Sequence, residues 1–212
     1  MASALVLGLV LGASAQSSDV GLLNQLSGEV AYTGQGGAQS KAQAFMKVRE
    51  GDRFTLPAGA QLRLVYFNGS RQETWQGPAS FKAGTQQSEA VSGQAVEAAK
   101  LPAGVAQKIA QVPNLVQIAK LGRSGGIAVR GGSKPGRLSS EQLAELTEAK
   151  GIYTQMRQKA VSEDITPEFY YYSVLQDHLL YDEMKSVTDE MLRRQPNNPE
   201  ALELAAYAKS RI

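Results

Sequence analysis

One glycine-rich segment of this sequence carries a spacing suited to nucleophilic catalysis. Gly122-Arg123-Ser124-Gly125-Gly126 fits the Gly-x-Ser-x-Gly pattern, which places a reactive serine on a sharp turn between a strand and a helix. Asp164 and His178 follow in the order that such a serine, acid and base can take. The surrounding residues instead predict a helix before Ser124 and a strand after it, which inverts the required geometry. We therefore interpret the segment as a glycine joint.

The cysteine and histidine counts exclude several kinds of catalytic and structural site. The chain has no cysteine and one histidine, His178, which excludes thiol nucleophiles, disulfides and sites that need two imidazoles. His178 follows Asp177 directly and precedes Asp182 by four residues, as an oriented base might be arranged. A single histidine on a polar helix face is more typically solvated, and we expect that here. The sequence therefore predicts no catalytic residue, no metal site and no cofactor.

Four consecutive aromatic residues, Phe169 to Tyr172, form the most unusual local feature. A helix places neighbouring residues about 100° apart, so the four rings cannot share one buried stripe. In one interpretation, Phe169 and Tyr172 pack inward while Tyr170 and Tyr171 cover a neighbouring helix. In the other, Tyr170 and Tyr171 line a groove with Leu175 that receives a partner protein or a glycan, since tyrosine is enriched at interfaces.

The N-terminal residues resemble an export signal. Residues 4–11 are apolar or small and uncharged, and Ala13-Ser14-Ala15 before Gln16 has the small-x-small pattern that signal peptidase cuts. The uncharged stretch ends by about Ser18, short of the ~20 residues that a bilayer crossing needs. We expect a signal peptide at residues 1–15, cleaved after Ala15, and a periplasmic or secreted protein without a stable membrane span.

Charge and glycine content divide the mature chain into two parts. Residues 16–137 contain 14 basic and 7 acidic side chains, whereas residues 138–212 contain 8 basic and 13 acidic ones. Glycines cluster in the first part, and residues 131–136 have the composition of a flexible joint. The formal net charge of the whole chain, +2, is too small to indicate a nucleic-acid partner.

The first part has the alternation of short strands. Gln61 to Phe67 predicts the clearest strand, and Asn68-Gly69 after it predicts a two-residue hairpin turn. The return strand, residues 70–75, is polar apart from Trp75, so we expect it at a sheet edge or on a solvated face. Weaker strands are predicted at residues 28–32, 44–48, 53–57, 77–81 and 90–96.

Helical periodicity begins after residue 102. Residues 103–121 predict two short helices broken at Pro113, and Ser139 with Gln142 has the spacing of a capping box. Thr166-Pro167 predicts a further helix start, with Thr166 as the cap. That helix has an apolar stripe formed by Phe169, Tyr172, Leu175 and Leu179. The expected fold is therefore α+β in two parts, a small all-β domain followed by a helical bundle.

The β part resembles the FecR domain, a small all-β periplasmic module. The resemblance lies in Gly28-Glu29-Val30, in Gly51-Asp52 before a short strand, and in the strand Gln61 to Tyr66 followed by Asn68-Gly69-Ser70. It implies a FecR-like domain at residues 16–100. Signalling members of the family pass a message from an outer-membrane receptor to a sigma factor and need a cytoplasmic segment and a membrane span. With neither predicted here, the chain looks closer to exported binding or assembly modules.

The helical part resembles a degenerate tetratricopeptide repeat. Tyr181-Asp182-Glu183-Met184 is similar to the start of the repeat's second helix, and residues 196–201 to the link between repeats. The resemblance implies a helical region at residues 138–212 whose helices stack side by side. Residues 101–137 then hold the short helices and the glycine-rich joint.

These observations favour a non-enzymatic adaptor or signalling module in the Gram-negative envelope, which acts through protein–protein contacts at Tyr170, Tyr171 and Leu175. The alternative is a module that binds peptidoglycan or exopolysaccharide through Tyr66, Trp75 and the basic first part. A serine hydrolase built on Ser124 is a remote third hypothesis.

Overall fold

The computed structural model describes residues 18–123 and 137–212. Ten strands come first: β1 (Asp19–Ser27), β2 (Ala31–Thr33), β3 (Gln39–Lys41), β4 (Lys47–Arg49), β5 (Arg53–Leu56), β6 (Gln61–Tyr66), β7 (Arg71–Gln76), β8 (Ala79–Ala83), β9 (Ser88–Ser92) and β10 (Ala95–Lys100). The helices follow: α1 (Val105–Ala110), α2 (Val112–Arg123), α3 (Ser140–Lys159), α4 (Thr166–Asp177), α5 (Tyr181–Arg194) and α6 (Pro199–Lys209). The α+β class expected from the sequence is confirmed.

The strands form two antiparallel sheets that pack face to face. The first sheet has the order β10-β7-β6-β1-β4 and the second the order β3-β2-β5-β8-β9. Alternate residues of each strand point into the space between the sheets, as the two-residue period of a strand requires. Trp75 of β7 stacks on Phe81 of β8 across this space, with ring centroids 4.4 Å apart. Leu62, Leu64 and Tyr66 of β6 enter the same core.

The helices cover the outer face of the first sheet and form a third layer. Leu22 of β1 and Val65 of β6 point away from the sandwich and belong to the core of the helical layer. Phe45, in the loop before β4, meets Phe169 of α4 edge to face with ring centroids 4.8 Å apart. Both faces of β1 and β6 are therefore buried.

The β6–β7 hairpin departs from the sequence prediction in its turn and in its burial. Tyr66 pairs with Arg71, so the loop has four residues, and the positive φ values fall on Gly69 and Ser70. The expected two-residue Asn68-Gly69 turn is therefore wrong. The expected edge or solvated position of β7 is also wrong, since β7 lies between β10 and β6 and four of its residues are buried. Thr74 accepts a hydrogen bond from Arg63 beneath the helices, and Glu73 accepts from Trp75 and from the Ser88 N–H on the sandwich side.

Helix ends follow some sequence signals and depart from others. The Ser139–Gln142 capping box is confirmed, with the Gln142 N–H donating to Ser139 Oγ and the Ser139 N–H to Gln142 Oε1. Pro113 lies in the first turn of α2, and the break between α1 and α2 falls at Gln111. Thr166 is the first residue of α4, so the expected cap at Thr166 is wrong; its N–H donates to Asp164 Oδ1 at 2.9 Å.

The α4 stripe also ends earlier than its periodicity predicts. Leu179 lies outside the helix, with a φ of 56° and 37% of its surface exposed. The Leu180 N–H donates to the Leu175 carbonyl, and the Leu179 N–H donates to the Gln176 carbonyl. These two bonds form a Schellman motif, which closes a helix with a left-handed residue that is usually glycine.

Several sequence predictions fall outside the described residues. They are the signal peptide at 1–15 with its cut after Ala15, the reactive position Ser124, the strand expected at 127–130, and the joint at 131–136. Within residues 18–123 and 137–212, none of the helices combines the length and apolarity that a bilayer crossing requires.

Candidate functional site

A cavity of about 390 Å³ lies between the outer face of the first sheet and the α3–α4 connection. We call it the interlayer cleft. Strands β6, β7 and β10 supply one wall, and the C-terminal end of α3 with the start of α4 supplies the other. The lining residues are Arg63, Gln72, Glu97, Ala99, Lys100, Leu101, Pro102, Gln155, Met156, Lys159, Ala160, Val161, Asp164, Thr166 and Pro167.

A buried ion pair closes one end of the interlayer cleft. Arg63 Nη1 lies 2.9 Å from Asp164 Oδ2, and the two side chains are only 4% and 6% exposed. Arg63 also donates to Thr74 Oγ1 at 3.1 Å and to Gln25 Oε1 at 2.7 Å. Because the guanidinium is held at three points, its position in the cleft wall is fixed.

A second polar link joins β1 to the start of α4 beside this ion pair. Asn24 Nδ2 donates to Thr166 Oγ1 at 2.5 Å, and the Thr166 hydroxyl donates to Asp164 Oδ1 at 2.5 Å. Asp164 therefore caps α4 with one carboxylate oxygen and binds Arg63 with the other. The start of α4 is fixed against the sheet by both links.

A charged cluster in the helical layer supports the α3–α4 connection. Glu168 is fully buried, with Arg157 3.0 Å and Arg194 3.7 Å from its carboxylate and the Tyr153 hydroxyl donating to it. Burial raises the pKa of Glu168, against the lowering effect of Arg157. Burial, together with the charge of Glu168, raises the pKa of Tyr153 to about 12. Arg157 also donates to the Val161 carbonyl at 2.5 Å, which fixes the end of α3 beside the cleft.

The cleft offers three polar groups that have no protein partner among the described residues. The amide oxygen of Gln72, a 9% exposed residue of β7, accepts no hydrogen bond. Lys100 and Lys159 are exposed at the cleft and form no ion pair within residues 18–123 and 137–212. A buried acceptor without a donor costs free energy, so a ligand that supplies the donor would bind there favourably.

Tyr66 and Trp75, proposed from the sequence as glycan contacts, lie inside the sandwich. Tyr66 is fully buried and Trp75 is 2% exposed. The Tyr66 hydroxyl hydrogen-bonds Ser88 Oγ at 2.9 Å, and Trp75 Nε1 donates to Glu73 Oε2 at 3.2 Å. Their expected surface position is wrong, because alternation along β6 and β7 directs both rings toward the second sheet.

The aromatic run of α4 is divided between core and half-buried positions. Phe169, Tyr170 and Tyr172 are at most 4% exposed, and Leu175 is also buried. Tyr171 is half-buried and stacks on Tyr153 of α3, with ring centroids 5.0 Å apart. Tyr171 thus covers a neighbouring helix, while Tyr170 and Leu175 are inaccessible from the surface. Of the three residues expected to line a partner groove, only Tyr171 is accessible at the surface.

His178 and Asp164 occupy opposite ends of α4. The twelve residues of that helix span roughly 18 Å at 1.5 Å per residue. Asp164 binds Arg63, whereas His178 Nε2 lies 3.2 Å from Glu145 Oε2 without hydrogen-bond geometry. The acid and base expected to follow Ser124 are therefore far apart. His178 is 8% exposed, so its expected solvated position is wrong.

Sequence reasoning missed the polar residues that form the cleft. Arg63 lies between Leu62 and Leu64 in an alternating strand, and Gln72 lies in the polar run of β7. Both patterns are typical of a sheet with one solvated face. Asp164, the partner of Arg63, lies 101 residues further along the chain. No local pattern indicates such pairing. Among residues 18–123 and 137–212, no three His, Cys, Asp or Glu side chains are grouped so as to hold a metal ion.

Comparison with known proteins adds no assignment. No protein-family model matches the chain, and neither the curated proteins nor the solved structures contain a significant match to it. The geometry of the interlayer cleft is therefore the basis for the proposals that follow.

Proposed function

We propose that this protein is an exported, FecR-like adaptor of the Gram-negative envelope that binds a partner non-covalently in the interlayer cleft. The observation that carries the proposal is the cleft itself, where polar groups and apolar side chains from both layers converge around about 390 Å³ of space. Binding sites in proteins have this mixture of apolar lining and few fixed polar groups.

The charges inside the cleft support binding more than proton transfer. The Arg63 guanidinium and the Asp164 carboxylate neutralise each other at 2.9 Å, and further hydrogen bonds occupy both groups. Groups that are paired in this way fix the shape of the cleft wall. The unpaired groups, Gln72 Oε1 and the Lys100 and Lys159 ammoniums, are suited to hold a ligand.

The core that the two layers share also supports the proposed adaptor role. Leu22 and Val65 of the first sheet pack among the helices, and Phe45 packs on Phe169. A ligand in the cleft contacts the sheet and α3 at the same time, so its binding can be transmitted to either layer. Tyr66 and Trp75 are buried and offer no surface to a glycan, which disfavours the glycan hypothesis.

Export is tested by expressing the full chain with a C-terminal tag in a Gram-negative host. We expect the tagged protein in the periplasmic fraction, with a mass that corresponds to loss of residues 1–15. An intact chain in the cytosol with Met1 to Ala15 attached would overturn the export part of the proposal.

Binding in the cleft is tested by pull-down from envelope extracts with wild type, Ala99→Arg and Ala98→Arg. Ala99 lines the cleft, and Ala98 is its exposed neighbour on β10 outside the lining. We expect Ala99→Arg to lose the captured partner, because the added side chain fills the cleft. Ala98→Arg is the matched control and should retain it. Equal capture by both variants would contradict a cleft site.

A further inference from the structure

Strand β10 is an open sheet edge that borders the interlayer cleft. Among the described residues it pairs on one side only, with β7, so the backbone N–H and C=O groups along its other side are unpaired. Most of the strand is exposed, and Val96 is 58% exposed. An edge of this kind is a template for a further strand.

One face of β10 forms part of the sheet wall of the interlayer cleft. Ala99 pairs with Gln72 in the ladder, and both residues line the cleft. In a strand added next to β10, alternate side chains would point to the same side as Ala99 and Gln72. Those side chains would lie beneath the end of α3, which supplies Gln155 and Lys159.

Charge at the cleft favours an acidic occupant. Five charged residues line it, and Arg63 is already neutralised by Asp164. Glu97 accepts from Thr74 Oγ1 at 3.4 Å, whereas Lys100 and Lys159 have no anionic partner in the part of the chain that the structure describes. A carboxylate held in the cleft would be attracted by both ammoniums, and such complementarity favours specific association.

The cleft also has an apolar section suited to a neighbouring side chain. Leu101 and Met156 are buried there, and the exposed Val161 borders them. Gln72 Oε1 stands in the same wall and lacks a donor. An occupant therefore needs an acidic group, an apolar group and an N–H donor in close succession, which an extended peptide supplies.

We propose that the partner of the interlayer cleft is an extended peptide with an acidic side chain, which adds to β10 as a strand. Its carboxylate binds Lys100 and Lys159, and an apolar side chain contacts Met156 and Leu101. This inference rests on the proposed binding function and specifies the chemistry of the partner at that site.

The first test measures fluorescence anisotropy of a labelled peptide with the full chain. The probe is a short acetylated peptide that alternates threonine and valine around one central glutamate. We expect binding that weakens about tenfold when lysine replaces the glutamate, and by a similar factor in the K100E/K159E variant. Lys150→Glu, on the same helix as Lys159 and outside the cleft lining, is the control and should bind normally. Equal affinity of all three proteins, or of both peptides, overturns the acidic contact.

The second test distinguishes strand addition from capture of a carboxylate alone. Two versions of the peptide are methylated at alternate amides, in complementary sets. A strand on β10 directs one set to the edge and the other to solvent, so one version should lose about tenfold in affinity and the other should not. Equal effects of the two sets, or competition by N-acetylglutamate at the concentration of the peptide, overturn strand addition.

The outcomes of these tests and of the pull-down are separable. If the peptides fail to bind while Ala99→Arg still abolishes capture of an envelope partner, the cleft binds something else and the acidic-peptide proposal is wrong. If the acidic peptide binds and the chain is found in the cytosol, the export part of the proposed function fails and the peptide site stands.

Discussion

Arg63 of β6 and Asp164, two residues before α4, form a buried ion pair that joins the sheet to the helical layer. Their side-chain atoms approach to 2.9 Å, and both side chains are at least 94% buried. The pair lies in the wall of the interlayer cleft and fixes the start of α4, because Asp164 also caps that helix. Removing one partner leaves the other charged group buried without compensation.

Arg63→Met is expected to lower the free energy of unfolding by about 3–5 kcal/mol, because it leaves the Asp164 carboxylate buried and unpaired. The double variant R63M/D164N should recover most of that loss, since asparagine keeps the oxygen that caps Thr166 and removes the charge. Urea denaturation of both variants and of wild type measures the difference. A single variant as stable as wild type would show that the pair is not buried in solution.

The shared core of the two layers predicts one cooperative unfolding transition. Trp75, the single tryptophan, lies between the sheets and reports on the sandwich, whereas circular dichroism at 222 nm reports mainly on the helices. Because Phe45 packs on Phe169 and Arg63 binds Asp164, the two signals should change at the same urea concentration. Separate midpoints would show that residues 18–100 and the helices unfold independently.

Phe45→Ala is expected to lower the common midpoint of urea denaturation, because it leaves a cavity at the junction of the layers.

The sequence predicts local elements here better than the contacts between them. Alternation locates β6, and the Ser139–Gln142 spacing locates the start of α3, because both signals depend on neighbouring residues. Strand β1 is not predicted from the sequence, because its apolar residues, Val20 to Leu23, follow closely on the apolar export segment and are not distinguished from it. The cleft is not predicted from the sequence, because polar residues on one face of β6 and β7 are equally typical of a sheet with a solvated face. Only the position of the helices makes Arg63 and Gln72 buried.

Leu179→Gly is expected to stabilise the protein by about 0.5–1 kcal/mol. Leu179 holds the left-handed position of the Schellman motif after α4, with a φ of 56°, and a residue with a Cβ atom is strained there. Its side chain is 37% exposed, so glycine also removes some buried apolar surface, and we expect the relief of backbone strain to exceed that loss. Thermal unfolding should show a rise of about 2 °C. Leu202→Gly is the control at an exposed helical leucine and should destabilise, because glycine weakens a helix interior. A fall in melting temperature for Leu179→Gly would contradict the strain.

Glu190 is expected to make stability depend on pH in the acid range. Hydrogen bonds from Arg193 and Arg194 lower its pKa from 4.5 to about 2 in the folded chain. A carboxyl whose pKa is lowered on folding stabilises the protein at pH values above its unfolded pKa. That contribution, about 1–2 kcal/mol after solvent screening, is lost as the pH falls from 4.5 toward 2.

The variant Glu190→Gln isolates this effect. Urea denaturation should show wild type more stable than the variant at pH 6, and the difference should shrink steadily between pH 4.5 and pH 2. Glu183→Gln, on the same helix, is the control, because it removes a carboxylate that forms no ion pair among the described residues. A difference between wild type and Glu190→Gln that stays constant across this range would mean that Glu190 does not bind Arg193 and Arg194 in solution.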